Sequence, residues 1–129
     1  MPDAILIVED EPKMGRIIQD YFAAHGVEAD WVPDGSAALE RTSAQDYDAV
    51  LLDVMMPGLD GYSVCRALRQ ESSLPILFLT ALGGEEHALR GYALGADDYI
   101  TKPFSLALLY AKTTALIRRS RGTEDGTLS

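Results

Sequence analysis

The chain has 129 residues, of which 47% are hydrophobic, and this size and composition suit one globular domain. Its 20 acidic and 11 basic residues give a net charge of −9, which argues against binding to nucleic acid through the phosphate backbone. The single cysteine excludes an internal disulfide, and no apolar stretch approaches the roughly 18 residues that span a bilayer, so we expect a cytoplasmic protein without a membrane segment.

Five short runs predict β-strands. In chain order they are Ala4–Val8, Glu28–Val32, Ala49–Leu52, Ile76–Thr80 and Asp98–Thr101. Three of the runs are almost wholly apolar, which is typical of strands that are buried on both faces of a sheet. The second run alternates between polar and apolar residues and predicts a strand with one exposed side.

Amphipathic helices are predicted between these strands. The clearest pattern has apolar residues at three- and four-residue spacing, at Met14, Ile17, Ile18, Tyr21 and Phe22. The last helix is predicted from about Leu106 to Arg119, and the polar segment 120–129 is predicted to be a linker or disordered tail.

Proline and glycine support the alternation of strands and helices. Pro12 suits the first turn of a helix, whereas Gly26 and Gly95 suit positions just past helix ends. Five strand–helix repeats predict a parallel sheet covered by helices on both faces. In such sheets, ligands bind beyond the carboxyl ends of the strands, so functional residues are expected there.

Polar residues lie at the carboxyl ends of four predicted strands. Glu9, Asp10 and Glu11 follow the first strand, and Asp53 follows the third. Thr80 ends the fourth strand and Ala81 comes next, and Lys102 and Pro103 follow the fifth. Carboxylates that lie close together repel one another, and a raised pKa, a basic partner or a bound cation relieves the repulsion. Because the candidate ligands are oxygens, they favour a hard metal ion such as magnesium.

Taken singly, these residues have simpler explanations. Asp10 or Glu11 beside Pro12 could do no more than cap a helix. Thr80 could reflect only strand propensity, and Lys102 could be a solvated lysine. The joint occurrence of such residues at four strand ends favours a functional site.

Four segments of the sequence resemble the receiver domain of two-component response regulators. They are Val8–Pro12, Leu51–Gly58, Leu79–Ala81 and Gly95–Phe104. The resemblance covers about Ala4 to Arg119, implies a receiver domain over residues 1–119, and is greatest to the OmpR/PhoB subfamily, which carries a C-terminal winged-helix domain. It implies a flavodoxin-like α/β fold, a doubly wound parallel sheet of five strand–helix units with strand order 2-1-3-4-5.

The resemblance also implies a phosphorylation site. Asp53 would accept a phosphoryl group from a sensor histidine kinase, and Thr80, the Ala81 amide and Lys102 would contact its oxygens. Tyr99 would change rotamer with the state of Thr80. Such a domain catalyses only its own phosphorylation and dephosphorylation, so we do not expect a conventional enzyme.

A metal site is implied in the same way. Asp10, Asp53 and the backbone carbonyl of Met55 would bind magnesium, or manganese in its place, and Glu9 would reach the metal directly or through water. The resemblance further implies a cis peptide bond between Lys102 and Pro103, where the presence of proline makes that isomer accessible.

The output surface would be the fourth helix, fifth strand and fifth helix, through which the subfamily dimerises on phosphorylation. Arg90 matches a basic residue of that interface, but its acidic partner position is Leu108, so this ion pair cannot form. Asp98 and Lys112 could supply a second bridge across the dimer, and Leu108 could add apolar surface. DNA would be contacted only through an effector domain outside this sequence, and the output would be transcriptional.

Three other functions would share parts of this pattern. A haloacid-dehalogenase-like phosphatase needs a second aspartate two residues after the nucleophile, where this chain has Met55. A flavodoxin-like electron carrier is disfavoured because Glu9, Asp10 and Glu11 would repel a flavin phosphate. A stand-alone or non-phosphorylated receiver-like interaction module remains the alternative, although the acceptor, metal and lysine positions are all intact.

Overall fold

The computed structural model describes residues 2–81, 93 and 95–125. Within these residues, five strands form one parallel sheet in the order β2-β1-β3-β4-β5, as predicted. The strands are β1 (Ala4–Val8), β2 (Glu28–Val32), β3 (Ala49–Asp53), β4 (Ile76–Thr80) and β5 (Asp98–Thr101). All five predicted strands are therefore confirmed, and β3 continues one residue further than expected, to Asp53.

Four helices are described: α1 (Pro12–Ala24), α2 (Gly35–Ala44), α3 (Gly61–Arg69) and a C-terminal helix (Leu106–Asp125). Pro12 begins α1, as predicted. Gly26 follows α1 with φ +82°, and Gly95 has φ +103°, which are conformations that glycine adopts readily. None of the helices in the described part of the chain is long and apolar enough to cross a bilayer.

Apolar side chains pack on both faces of the sheet because neighbouring residues of a strand point to opposite sides. One face packs against α2 and α3 and includes Leu6, Val8, Val50, Leu52, Ala38, Val64, Cys65 and Leu68. The other packs against α1 and the C-terminal helix and includes Ile5, Ile7, Leu51, Leu77, Ile18, Phe22, Leu109 and Leu116. Burial on both sides explains the continuous apolar runs of β1, β3 and β4.

The C-terminal helix is longer than predicted. Apolar periodicity stops near Arg119 and predicted the end of the helix there, whereas the helix continues to Asp125. Arg121 in the added segment forms ion pairs with Asp3 (2.8 Å) and Asp48 (3.1 Å), beside the amino ends of β1 and β3. Helix therefore occupies residues 120–125 of the predicted linker or disordered tail, while the domain boundary itself stays a prediction.

Candidate functional site

The parallel sheet brings the polar strand ends to one edge. Glu9 directly follows β1, and Asp53 ends the neighbouring strand β3. These two residues are only 1% and 3% exposed, and Thr80 at the end of β4 is also buried. Asp10 is exposed beside them. A cavity of about 320 Å³ lies at this edge and is lined by Glu9, Asp10, Glu11, Pro12, Asp53, Met55, Ala81 and Lys102.

Lys102 joins the two buried carboxylates. Its Nζ atom lies 3.0 Å from Oδ2 of Asp53 and 3.1 Å from Oε1 of Glu9. The second oxygen of Asp53 accepts a hydrogen bond from the amide of Met55 (3.0 Å), and the second oxygen of Glu9 accepts one from the amide of Glu11 (3.3 Å). These contacts fix the orientation of both carboxylates and compensate for their burial.

The electrostatics of the cluster follow from burial and crowding. Burial, followed by the hydrogen bond and the negative charge of Asp53, raises the pKa of Glu9 from 4.5 to about 7, although Lys102 opposes this rise. Burial lowers the pKa of Lys102, but its contacts with Asp53 and Glu9 outweigh that effect, so this pKa is raised overall. The site therefore holds a charged lysine and favours an additional positive charge, either a proton on Glu9 or a metal ion.

The carboxylates of Glu9, Asp10 and Asp53 could hold a metal ion. One oxygen from each of the three lies within 4.8 Å of the other two. Carboxylate oxygens are the ligands that hard divalent cations prefer, and the exposed Asp10 leaves the site open to solvent. The residues present thus fit a magnesium-type site, while coordination by the carbonyl of Met55 stays a prediction.

The remaining predicted site residues lie on β4, on β5 or directly after them. The carbonyl of Thr80 accepts a hydrogen bond from the amide of Lys102 (2.7 Å), which continues the pairing of the two strands past their ends. Ala81 lines the cavity. Tyr99 is partly buried on β5, and the peptide bond between Lys102 and Pro103 is cis, as expected.

The predicted dimer residues are only partly described. Leu108 is 48% exposed on the C-terminal helix, so it is not buried within its own domain. Asp98 and Lys112 form an ion pair of 3.1 Å within the chain, and a bridge across a dimer would require them to exchange partners. Arg90 and the predicted fourth helix lie outside the described residues, apart from Ala93.

Sequence reasoning missed Trp31, which contacts this site from β2. Its indole N–H donates a 2.8 Å hydrogen bond to the backbone carbonyl of Glu9. A tryptophan near the carboxyl end of a strand adjacent to β1 was the available signal, but its contact with the acidic turn depends on the order of the strands.

Comparison with known proteins identifies the family. Residues 5–114 match the response regulator receiver domain. Because this match covers most of the chain, the protein belongs to that family, whose members act as signalling domains of two-component systems.

Relatives and solved structures agree with this assignment. The transcriptional activator protein IrlR of Burkholderia pseudomallei is 44% identical over 124 residues, which cover 96% of this chain and 54% of IrlR. The transcriptional regulatory protein TcrA of Mycobacterium tuberculosis is 47% identical over 116 residues, which cover 89% of this chain and 46% of TcrA. The receiver domain of Francisella response regulator 1452 superposes with a TM-score of 0.88 at 34% identity, and the match covers 92% of this chain and 98% of that domain. The chain thus spans about half the length of these curated relatives.

Proposed function

We propose that this receiver domain accepts a phosphoryl group on Asp53 from a sensor histidine kinase. The observation that carries the proposal is the buried Asp53 carboxylate, which borders an open cavity and is held by Lys102 on one oxygen and the Met55 amide on the other. This arrangement holds a carboxylate at the wall of the cavity while an adjacent cation offsets its charge, as an acceptor of a dianionic group requires.

In the proposed transfer, an oxygen of Asp53 forms a bond to phosphorus as the phosphorus–nitrogen bond of the phosphohistidine breaks. The leaving imidazole takes up a proton from its surroundings. Lys102, the Thr80 hydroxyl and the Ala81 amide would contact the phosphoryl oxygens, so the negative charge remains compensated after transfer. Attack by water on the phosphorus would later release phosphate and regenerate Asp53.

The proposed metal ligands are Asp10, Asp53 and the carbonyl of Met55, with Glu9 beside them. These residues would hold magnesium, or manganese in its place, whose positive charge would offset the repulsion between the carboxylates and the incoming phosphoryl group. The cluster of three carboxylates within 4.8 Å supports this proposal. Glu9 would also hold a proton when no metal is bound, since its pKa is raised to about 7.

The proposed output is phosphorylation-dependent dimerisation, coupled to the site through Thr80 and Tyr99. Its surface would be β5, the C-terminal helix and the segment containing Arg90. The half-exposed Leu108 and the neighbouring pair of Asp98 and Lys112 support this surface as an interface. Because IrlR and TcrA are transcriptional regulators about twice as long as this chain, we infer a transcriptional output through an effector domain.

Mass spectrometry after incubation with acetyl phosphate and magnesium tests the proposal. The wild type should gain the mass of one phosphoryl group, and Asp53→Asn should not. Asp60→Asn is the matched control because Asp60 lies near the site but caps α3 through a 2.9 Å bond to the amide of Ser63, a role that asparagine can keep. Labelling of Asp53→Asn at the wild-type level, or labelling in excess chelator, would contradict the proposal. No labelling of the wild type would favour a non-phosphorylated interaction module.

A further inference from the structure

Both backbone polar groups of Glu9 are held by β2. The amide of Glu9 donates to the carbonyl of Val32 (3.2 Å), and the carbonyl of Glu9 accepts from the indole N–H of Trp31 (2.8 Å). The first bond continues the pairing of β1 with β2, in which Val8 lies opposite Val32. The second is made by a side chain, so it depends on the presence of tryptophan at position 31.

The indole bond also constrains Asp10. The carbonyl of Glu9 and the amide of Asp10 belong to one planar peptide unit, so fixing the carbonyl fixes the plane from which Asp10 projects. The Asp10 carboxylate is exposed and has no hydrogen bond or ion pair to any other residue within 2–81, 93 and 95–125. Its position relative to Asp53 therefore depends on the backbone that Trp31 holds.

A glycine on α1 makes room for the indole. Gly15 is buried, and a Cβ atom added there would overlap Nε1 and Cδ1 of Trp31 and lie 2.9 Å from its Cε2. The amide of Gly15 donates to the carbonyl of Glu11 (3.0 Å), which places this contact in the first turn of α1. The indole thus fills the space between the acidic turn and α1, and any side chain at position 15 would displace it.

We propose that Trp31, accommodated by Gly15, is a positioning residue for the metal site. It sets the peptide plane between Glu9 and Asp10 and thereby the distance between the carboxylates of Asp10 and Asp53. This inference rests on the proposed metal site, and it assigns to β2 a role in metal affinity that acts through the backbone. Trp31 itself contacts neither the metal nor the phosphoryl group.

Calorimetric titration with magnesium alone tests this role. Trp31→Phe keeps an aromatic ring but removes the N–H donor, and loss of one such bond should weaken magnesium binding roughly two- to tenfold. Tyr47→Phe is the matched control because it removes a 2.7 Å hydrogen bond to Asp30 on the same strand, away from the acidic turn. Tyr47→Phe should lower stability against urea about as much as Trp31→Phe does, and it should leave the magnesium affinity unchanged.

A second variant separates positioning from general stability. Gly15→Ala improves helix propensity, but its methyl group would overlap the indole, so a purely structural role predicts a change in stability against urea with no change in magnesium affinity. The proposal instead predicts weaker magnesium binding, because the added methyl group displaces the indole. In the Trp31→Phe background, Gly15→Ala should weaken binding little further, since the indole bond is already absent.

The outcomes distinguish the inference from the metal site itself. If the wild type binds magnesium, Asp10→Asn abolishes binding and Trp31→Phe binds as tightly as the wild type, the role of Trp31 is overturned and the metal site stands. Equal weakening by Trp31→Phe and Tyr47→Phe would also overturn it, because the effect would then follow stability. If the wild type does not bind magnesium, the proposed metal site falls, and the role of Trp31 falls with it.

Discussion

The protonation of Glu9 should make the stability of the metal-free domain fall as pH rises. Burial and the adjacent Asp53 raise the pKa of Glu9 in the folded protein from 4.5 to about 7. Between these two values the folded state binds the Glu9 proton and the unfolded state releases it. The stabilisation is therefore complete below about pH 4.5 and is lost as pH rises through about 7. Glu9→Gln, which mimics the protonated side chain, should remove this dependence.

The size of the effect follows from the same two pKa values. At about 1.4 kcal/mol for each pKa unit, the rise in the pKa of Glu9 corresponds to about 3 kcal/mol. At pH 5 the unfolded state has already released most of the Glu9 proton, so somewhat less than this total is lost between pH 5 and pH 8. We therefore expect the free energy of unfolding of Glu9→Gln, relative to that of the wild type, to rise by about 2 kcal/mol from pH 5 to pH 8.

Urea unfolding in the presence of a chelator, at pH values from 5 to 8, measures this difference. Glu11→Gln is the matched control because it removes a carboxylate from the same turn at an exposed position. Added magnesium should reduce the advantage of Glu9→Gln at pH 8, since a bound cation compensates for the ionised carboxylate. A free-energy difference between wild type and Glu9→Gln that stays constant from pH 5 to pH 8 would refute this account of the cluster.

Three further predictions concern the lysine, the output surface and the phosphoryl lifetime. Lys102→Met leaves two buried carboxylates without their cation, so in chelator at pH 8 it should lower the free energy of unfolding by about 2 kcal/mol. An unchanged urea midpoint would contradict this. Leu108→Glu should abolish the dimerisation that an acyl-phosphate mimic induces, whereas Leu59→Glu on another surface should not. Analytical ultracentrifugation at low and high salt measures this, and the wild-type dimer should be less salt-sensitive than a dimer held by ion pairs. Self-dephosphorylation should be slow because Met55 and Leu82, two positions after Asp53 and Thr80, are apolar and cannot orient the attacking water. Leu82 lies outside the described residues. Faster loss of phosphate after Met55→Asn with Leu82→Glu would support this prediction, whereas equal rates would count against it.

The sequence by itself determined the strands and the residues at their ends. Apolar runs bounded by acidic or proline residues predicted β1, β4 and, to within one residue, β3, because burial on both faces of a parallel sheet requires uninterrupted apolar residues. The alternation of strands with helices then placed the polar strand ends at one edge. For this reason Asp53 and Lys102 could be placed at the same edge of the sheet although 49 residues separate them in the chain, and the structure adds their direct contact.

Only the tertiary structure decided which side chains touch and how they are charged. The raised pKa of Glu9 depends on burial and on Asp53, and neither quantity is local in sequence. The bond from Trp31 to Glu9 spans 22 residues and requires β2 to lie beside β1. Likewise, the last turns of the C-terminal helix contact the sheet through Arg121, 73 residues from Asp48, so apolar periodicity could not predict where that helix ends. In each case the stabilising contact joins residues that lie far apart in the sequence, so the local sequence pattern could not predict it.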